Sequence, residues 1–470
     1  MIKFILNNQT IESDLPKGAT VLDFVRYHKN LKGTKIGCRE GDCGACTILV
    51  GELTGEKVKY RTQTSCLMPV ANAAGKHIVT VEGINKEDGE LTEVQSAMVE
   101  ESGTQCGFCT VGFVMSLTNF CIDETPKTNE MAISAIDGNI CRCTGYKSIE
   151  RACSLVVGSQ QSAVSSQNLK TAIEKEIVPA YFANIKERLS EISENQRPKT
   201  KDQKPKFVGG GTDLYVQRPE EMVYSEAENL FDNSELRFIK KEGEFIEIGA
   251  STVVTDLLES SVMQDLFPRL FKHLKLVSST PIRNMATLAG NFVNASPIGD
   301  MTAWFLALDA EISVRTASGS DREIPLRDFY LGYKQLAKSE DEFITKIRFQ
   351  TDFTHFNFEK VCKRTYLDIA SVNTAISLRS EPPAVAGGSN IMTEAHVSAG
   401  GVAPVPLYLR KTSEFLRGKE ISETTINEAS EIMQTEISPI SDVRGSESYK
   451  RLLARQLFTA HFVELFGINI

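Results

Sequence analysis

Ten of the eleven cysteines in this 470-residue chain lie between Cys38 and Cys153, and eight of the eleven fall into two groups of four. Disulfides are disfavoured in a reducing compartment, so thiols clustered in this way are typical of a metal site. Cys121, Cys153 and Cys362 belong to neither group, and we predict that they are buried, unreactive thiols. The spacing of the other eight therefore decides which metal chemistry to expect.

The first group has the spacing C-x4-C-x2-C, followed by a fourth cysteine from a separate segment. Its members are Cys38, Cys43, Cys46 and Cys66. This spacing is the ligand pattern of plant-type [2Fe-2S] ferredoxins. Three thiolates from one short loop must converge on the cluster, and we expect Gly37, Gly41 and Gly44 to supply the positive φ angles and the close backbone approach. Zinc sites favour paired C-x2-C knuckles, which this group lacks.

The second group combines a C-x2-C pair with a later C-x-C pair. Its members are Cys106, Cys109, Cys141 and Cys143. The first spacing predicts two thiols on one side of a helix start, and the second suits an extended loop. Four such thiolates, taken alone, hold either zinc or a [2Fe-2S] cluster. The ferredoxin-like group directly before them favours a second cluster, and two adjacent clusters would form a short electron relay.

Two segments further along the chain have features of a nucleotide site. Residues 207–214 (FVGGGTDL) match neither the dinucleotide fingerprint nor a Walker loop, but a strand that runs into three glycines can present backbone N–H groups to a pyrophosphate. Residues 287–291 (TLAGN) also combine small and polar side chains, and Asp300 follows as a single carboxylate. We predict one extended nucleotide between the two segments. For Arg283 and Asn284, surface, structural and phosphate-binding roles all stay open.

Several secondary structure elements must position these residues, and the spacing of apolar residues predicts them. Strands and one helix are expected around the first cysteine group, and a small helical domain is expected over 92–155. Polar stretches at 158–167 and 195–206 are typical of linkers. The predicted strands are 2–6, 47–50, 57–61 and 374–378, and the predicted helices are 21–27, 169–193 and 449–465.

Composition excludes several classes of protein. The length predicts roughly three domains. With 52 Lys and Arg against 61 Asp and Glu, the net charge of −9 argues against nucleic acid and anionic membranes as partners. No apolar run approaches the roughly 18 residues of a membrane span, and the N-terminus lacks a secretory or twin-Arg signal. We therefore predict a cytoplasmic protein that binds neither nucleic acid nor membrane.

In combination, these motifs resemble the xanthine dehydrogenase/oxidase family of molybdenum hydroxylases, in particular the small iron–sulfur/FAD subunit of the bacterial type. Its two iron–sulfur domains are similar to GCREGDCGACTILV, QCGFCTVGFVMSL and CRCTGY. Its FAD domain is similar to FVGGGTDL and PIRNMATLAGNFVNASPIGDM, and its C-terminal domain to GGVAPVPLYLRKT and SDVRGSESYKR. The likeness covers essentially the whole chain, in the family's order.

The resemblance implies a multidomain α+β fold. Its expected parts are a plant-type [2Fe-2S] ferredoxin β-grasp domain (1–82), a four-helix [2Fe-2S]-binding domain (83–157), a linker with a leading helix (158–206), a two-subdomain α/β FAD-binding domain of PCMH type (190–350), and a C-terminal α+β flavoprotein domain like that of CO dehydrogenase (351–470).

The resemblance also implies which residues hold the cofactors. Each group of four cysteines ligates one [2Fe-2S] cluster, and the second cluster lies nearer the molybdenum centre. At the position where the family packs an aromatic residue on the flavin, this sequence has Val277. The residues implied to bind FAD are Phe207, Val208, Gly209, Gly210, Gly211, Thr212, Asp213, Leu214, Thr287, Leu288, Ala289, Gly290, Asn291, Asp300 and Lys411.

The implied function is electron transfer from a molybdopterin-binding large subunit through both clusters to FAD and then to NAD, within a dimer of heterodimers. No catalytic residue of the hydroxylation is expected in this chain. Eukaryotic-type relatives continue beyond the position of Ile470 into a molybdenum-binding domain, which we expect here on another polypeptide. We also expect an exposed, partly apolar face around Gln105 and residues 141–143. Two alternatives are the same module serving a carbon monoxide, nicotinate, aldehyde or hydroxybenzoyl-CoA hydroxylase, and a stand-alone diaphorase.

Overall fold

The secondary structure comes from a computed structural model that describes residues 1–160, 168–193, 206–225, 228–316, 318–364, 367–382 and 390–468. The strands are β1 (Ile2–Leu6), β2 (Gln9–Ser13), β3 (Thr47–Thr54), β4 (Lys57–Thr64), β5 (His77–Val79), β6 (Phe207–Val208), β7 (Glu228–Asn229), β8 (Ile239–Glu242), β9 (Phe245–Gly249), β10 (Glu311–Thr316), β11 (Asp321–Pro325), β12 (Tyr330–Gly332), β13 (Gln335–Leu336), β14 (Glu342–Gln350), β15 (His355–Val361), β16 (Val372–Glu381), β17 (Ile391–Gly400) and β18 (Leu407–Tyr408).

The helices are α1 (Val21–Asp23), α2 (Glu93–Glu100), α3 (Thr110–Ile122), α4 (Asn129–Ala135), α5 (Lys147–Gln160), α6 (Asn168–Glu174), α7 (Ile185–Ser193), α8 (Leu214–Gln217), α9 (Pro219–Val223), α10 (Val254–Glu259), α11 (Ser261–Leu266), α12 (Leu270–Lys275), α13 (Thr280–Arg283), α14 (Leu288–Asn294), α15 (Asp300–Leu306), α16 (Arg410–Leu416), α17 (Glu423–Glu436) and α18 (Glu447–Phe466). In the described part of the chain, no helix is long and apolar enough to cross a membrane.

Two compact units divide the chain. The first contains Met1–Phe231 and Ser279–Ala286, and the second contains Asp232–Ser278 and Thr287–Ile470. The short segment Ser279–Ala286 thus packs with the cysteine-rich part of the chain, although the residues on either side of it belong to the second unit.

A mixed five-stranded sheet with the order β2-β1-β5-β3-β4 forms the start of the first unit. β1 pairs in parallel with β5, and the other neighbours are antiparallel. The predicted strands 2–6, 47–50 and 57–61 all lie in this sheet. The predicted helix 21–27 is present, but after α1 it continues as a π-helical turn over Phe24–His28.

The helical domain predicted over 92–155 is also present, as α2 to α5. α2 begins at a capping box, in which the side chains of Thr92 and Gln95 each accept a hydrogen bond from the other residue's backbone N–H. α3 is buried on almost every side, and its Phe113 and Phe120 are fully enclosed. This helix therefore forms the centre of the domain that carries the second cysteine group.

The single helix predicted for residues 169–193 is wrong, because the chain forms α6 and α7 with an irregular turn between them. Glu176 has a φ of 54° and Pro179 precedes a short 3-10 turn. Proline has no N–H for a helical hydrogen bond, so it interrupts the helix that the apolar spacing favours. Most of the two predicted linkers, 161–167 and 194–205, lies outside the described residues.

The second unit contains two larger antiparallel sheets, with the strand orders β11-β10-β14-β9-β8 and β15-β16-β17-β18. The strand predicted at 374–378 lies within β16, and the helix predicted at 449–465 lies within α18. α18 packs on β15 and β16 through Phe458 and Phe462, which are fully buried. Trp304, the chain's single tryptophan, is fully buried on α15 in the same unit.

Candidate iron–sulfur and flavin sites

The first cysteine group lies on the loop before β3 and on the turn after β4, so the β3–β4 hairpin brings the two segments together. The thiols approach each other as two pairs, Cys38 with Cys43 and Cys46 with Cys66. Backbone N–H groups also point at the sulfurs: the N–H of Glu40 lies 3.3 Å from Cys38 Sγ. The loop therefore offers both thiols and hydrogen-bond donors to one centre.

Glycine has the predicted role in this loop. Gly41 and Gly44 have φ angles of 78° and 68°, in the left-handed region that favours glycine. Gly37 serves the close approach instead, because a Cβ there would lie 2.5 Å from Cys43 Sγ.

The electrostatics of the first group reflect the pairing. Its hydrogen bond with Cys43 lowers the pKa of the Cys38 thiol to about 5, with help from backbone N–H donors, while the pKa of Cys43 is raised. In the same way, the hydrogen bond between Cys46 and Cys66 lowers the pKa of Cys46 and raises that of Cys66. The two thiols of each pair therefore differ in pKa, and a bound metal centre would hold both as thiolates.

The second cysteine group also forms two pairs. Cys106 Sγ lies 3.6 Å from Cys143 Sγ, and the thiols of Cys109 and Cys141 are hydrogen bonded. One detail differs from the prediction: Cys106 precedes the helix, and α3 begins only after Cys109, which occupies the N-cap position. Gly107, with a φ of 79°, makes the turn that brings the two thiols into place.

The pairing of the thiols bears on the two metal chemistries that the spacing of the second group left open. A structural zinc ion needs four ligands that converge on one point. A [2Fe-2S] cluster instead needs two cysteines on each of two irons. The pairs Cys106–Cys143 and Cys109–Cys141 fit that demand, as do both pairs of the first group.

The two groups differ in exposure. Cys46 and Cys66 of the first group are buried, whereas Cys106 and Cys143 of the second are exposed. The expected exposed face is present at Gln105, which is exposed, and at Phe108, which has 46% of its surface accessible, whereas Cys141 within the expected face is buried. The second group therefore lies at the surface of the first unit, beside an exposed aromatic side chain.

Of the three cysteines outside both groups, two are unreactive, as predicted. Cys121 and Cys153 are buried, and burial raises the pKa of both thiols to about 12. Cys362 is only half-buried, and its thiol donates to the carbonyl oxygen of Arg364 at 2.9 Å. The prediction of a buried thiol is therefore wrong for Cys362.

The first glycine segment, residues 207–214, lies in the first unit between β6 and α8. In the described structure, the backbone N–H groups of Gly209, Gly210, Gly211 and Thr212 have no hydrogen-bond acceptor in the chain, although Gly210 and Gly211 are buried. Buried N–H groups are almost always paired. This segment therefore fits a bound pyrophosphate, which would supply the missing acceptors.

The second glycine segment, residues 287–291, lies in the second unit at the start of α14. Its N–H groups are already in use: Leu288 donates to Thr252, Ala289 to Ala250, and both Gly290 and Asn291 to Thr287. Gly290 is exposed, and a Cβ there would meet only the Thr287 hydroxyl. This segment offers an open surface to a ligand rather than free N–H donors.

The other residues implied to touch the flavin lie in the second unit. Asp300 accepts from the side chains of Lys360 and Asn373, so both of its oxygens have partners within the fold. Lys411 is exposed on α16, and Val277 is buried.

Family models match the chain in four consecutive segments. The 2Fe-2S iron-sulfur cluster binding domain matches residues 4–71, and the [2Fe-2S] binding domain matches 80–154. The FAD binding domain in molybdopterin dehydrogenase matches 186–349, and the CO dehydrogenase flavoprotein C-terminal domain matches 358–465. The chain belongs to the molybdenum hydroxylase family. It therefore carries the family's electron-transfer module, with two [2Fe-2S] domains and an FAD-binding domain in a multidomain α+β fold.

Individual molybdenum hydroxylases resemble this chain along most of its length. Xanthine dehydrogenase from Emericella nidulans is 30% identical and covers 90% of this chain, and xanthine dehydrogenase 1 from Arabidopsis thaliana is 26% identical and covers 96%. The chain spans only 35% and 38% of those two proteins. Among solved structures, one chain of carbon monoxide dehydrogenase from Hydrogenophaga pseudoflava, which lacks the Mo-pyranopterin moiety of its cofactor, matches with a TM-score of 0.50 and 25% identity. The match covers 57% of this chain and 91% of that chain.

Arg283 and Asn284 have structural roles in this member of the family. Arg283 forms an ion pair with Asp137 at 2.6 Å, and both side chains are almost completely buried. Asn284 donates to the carbonyl oxygen of Thr62 at 2.7 Å. Together these contacts fasten α13 to both iron–sulfur domains, which explains why Ser279–Ala286 belongs to the first unit.

Sequence reasoning missed three buried polar residues: Asp137 and Asn139 in the helical iron–sulfur domain, and Lys360 in the second unit. None of the three belongs to a motif quoted above, although Asp137 and Asn139 lie just before Cys141. Asp137 pairs with a residue 146 positions away, and Asn139 bonds one 95 positions away. Only the tertiary structure brings these partners together.

Proposed function

We propose that this chain passes electrons from a molybdopterin-binding partner through two [2Fe-2S] clusters to FAD and then to NAD, as a xanthine dehydrogenase-type subunit. The observation that carries the proposal is a continuous series of contacts in the first unit. It runs from the exposed second cysteine group, through the first group, to the first glycine segment.

The series begins at the exposed end. Cys106, Cys143 and Phe108 are accessible, and a redox centre that exchanges electrons with another protein must lie close to the surface. Exposed apolar side chains around it would be covered in a stable complex. We propose this face as the contact with the molybdopterin-binding partner.

The first and second groups meet inside the unit. Ile140, which precedes Cys141, donates its N–H to the carbonyl oxygen of Cys43 at 3.0 Å. One hydrogen bond therefore links a proposed ligand of one cluster to the residue beside a proposed ligand of the other.

The series ends at the glycine segment. Leu67 follows Cys66, and its carbonyl oxygen would lie 3.1 Å from a Cβ at Gly211. Gly211 is one of the residues whose N–H groups fit a pyrophosphate. The first cluster would thus lie beside the flavin nucleotide, and the second cluster at the opposite end of the path.

The cofactor ligands belong to the proposal. Each group of four cysteines would hold one cluster, residues 207–214 and 287–291 would contact FAD, and Lys411 would be a further contact. The clusters supply one-electron chemistry, and FAD supplies the conversion between single electrons and the pair that a hydride carries. The chain's own residues bind these groups and set the distances between them.

Xanthine is the proposed substrate of the partner because xanthine dehydrogenases match 90% or more of the chain, across all four segments. The carbon monoxide dehydrogenase structure matches 57% of it. We also propose a cytoplasmic location, since all eleven cysteines are free thiols and clusters of this kind assemble from thiolates.

The decisive experiment isolates this protein from its native host under gentle conditions. A co-purifying chain with bound molybdopterin, together with xanthine-dependent NAD⁺ reduction, is expected. In the assembled enzyme, Cys109→Ala should abolish xanthine-driven NAD⁺ reduction and leave NADH-driven flavin reduction intact. Undiminished xanthine-driven flavin reduction in that variant would contradict the relay. NADH oxidation by a chain that never associates with molybdopterin would favour the diaphorase alternative.

A further inference from the structure

Three segments of the first unit meet at one buried point between the two cysteine groups. They are the loop at Cys43 and Gly44, the segment 138–140 that leads to Cys141, and the first turn of α3. A Cβ at Gly44 would overlap the carbonyl oxygen of Gly138, and a Cβ at Gly112 would overlap that of Gly44. The absence of side chains at these glycines is what allows the two loops to touch.

Asn139 fixes the geometry of this meeting point. Its side chain is buried, with 5% of the residue exposed. Its Nδ2 donates to the carbonyl oxygen of Gly44 at 3.2 Å, and its Oδ1 accepts from the Ser116 hydroxyl at 2.7 Å. One amide therefore ties the first cysteine loop to α3, and the next residue, Ile140, makes the hydrogen bond to Cys43.

We propose that Asn139 is a positioning residue for electron transfer between the two clusters, because it holds the Ile140–Cys43 hydrogen bond at its observed length. This inference rests on the proposed function. Electron transfer through protein slows steeply as the separation grows, and a hydrogen bond couples two groups better than a gap does. One electron crosses at a time: one cluster is oxidised by one electron, the other is reduced by one, and no covalent bond changes.

A purely structural role for Asn139 makes a different prediction. If the amide only joined two domains, its removal would lower stability and leave the rate of electron exchange unchanged whenever both clusters were bound. The rate of exchange between the clusters is therefore the deciding measurement, and iron content reports separately on folding.

The experiment compares four forms of the cluster- and flavin-loaded protein: wild type, Asn139→Ala, Ser116→Ala and Asn119→Ala. Asn119→Ala is the matched control, since Asn119 lies on the same helix and donates to Asp123 rather than to a cysteine loop. Ser116→Ala removes one anchor of the Asn139 amide without changing either loop, and it serves if Asn139→Ala fails to retain clusters.

After a pulse of a one-electron viologen reductant, freeze-quench electron paramagnetic resonance follows the two cluster signals as they equilibrate. Asn139→Ala should slow equilibration by about tenfold or more, Ser116→Ala by less, and Asn119→Ala not at all, with unchanged midpoint potentials. The magnetic interaction between the reduced clusters should also weaken in Asn139→Ala. If the Asn139 and Ser116 variants hold both clusters and equilibrate at the wild-type rate, this inference is wrong, while the proposed relay still stands. Clusters that fail to equilibrate in the wild type would overturn the proposed relay itself.

Discussion

The side-chain nitrogen of Lys360 lies 2.7 Å from Oδ2 of Asp300, and the Lys360 side chain is completely buried. The same nitrogen donates to the carbonyl oxygens of Leu276 at 2.6 Å and Asp368 at 2.8 Å, so each of its three protons has an acceptor. Asn373 donates to the other oxygen of Asp300 at 2.6 Å. The carboxylate that the resemblance assigns to FAD is therefore also the counter-charge of a buried lysine.

The first prediction follows from this ion pair. Asp300→Ala should lower the free energy of unfolding of the second unit by about 3–5 kcal/mol, because it leaves a buried ammonium group without its counter-charge. Urea unfolding followed by the fluorescence of Trp304, the chain's single tryptophan, measures this change. The double variant Asp300→Ala/Lys360→Met should recover most of the loss. If the double variant is stable but still lacks FAD, Asp300 also contacts the flavin; unaltered unfolding of Asp300→Ala would disprove the structural role.

A second prediction concerns metal content. Two [2Fe-2S] clusters give about four irons per chain, and the reduced protein should show two distinct paramagnetic signals. Cys43→Ala should remove one signal and Cys109→Ala the other, because each variant breaks one pair of thiols. Cys153→Ala, at a buried thiol outside both groups, is the control and should retain both. Zinc in place of iron, or about half the iron, would contradict the assignment of the second group.

The third prediction concerns Gly290, which the resemblance assigns to the flavin site together with Gly210. Gly290→Val should reduce bound FAD while Trp304-detected unfolding stays near that of the wild type, because Gly290 faces open space except for the Thr287 hydroxyl. Gly158→Val, at another exposed helical glycine with open space around it, is the matched control and should retain FAD. Full flavin occupancy in Gly290→Val would remove residues 287–291 from the flavin site.

Gly210 should behave differently. A Cβ there would overlap the carbonyl oxygen of Met285 within the first unit, so Gly210→Ala requires a backbone shift. We expect loss of protein stability together with loss of flavin, measured by thermal unfolding of the first unit.

A fourth prediction concerns the stability of the second unit at acid pH. His273 and His461 lie on either side of Asn357 in a buried network, with nitrogen–oxygen and nitrogen–nitrogen distances of 3.1 and 2.9 Å. Burial lowers the pKa of His273 to about 4 and that of His461 to about 3, from an ordinary value of 6.5. Below pH 6.5 the unfolded chain binds protons that the folded chain does not, so stability should be complete above that pH and fall as the pH drops towards 4.

Hydrogen exchange of α18 amides at pH 7 and pH 5 tests this prediction, because α18 carries His461. His461→Gln, which keeps a neutral hydrogen-bonding side chain, should reduce the difference between the two pH values. Equal protection at both pH values in the wild type would show that the two histidines do not couple folding to acid.

Local sequence determined the elements whose form depends on residues close together in the chain. The cysteine spacing in CREGDCGAC and the left-handed glycines Gly41 and Gly44 act within one loop, so the form of that loop could be predicted from its residues. The strands of the first sheet and the C-terminal helix follow from the spacing of their apolar residues. The prediction of one helix over 169–193 was wrong because the helical spacing of apolar residues continues past Pro179, where the backbone cannot continue a helix.

Tertiary structure alone decided which residues serve the fold and which stay available to a cofactor. Asp300 has the sequence context of a ligand contact, yet its charge is neutralised by Lys360, 60 positions away. Asn139 has no motif, yet it joins the two cysteine loops. Hydrogen bonds and ion pairs between distant residues depend on where several elements meet. The pattern of residues within one segment therefore cannot predict them.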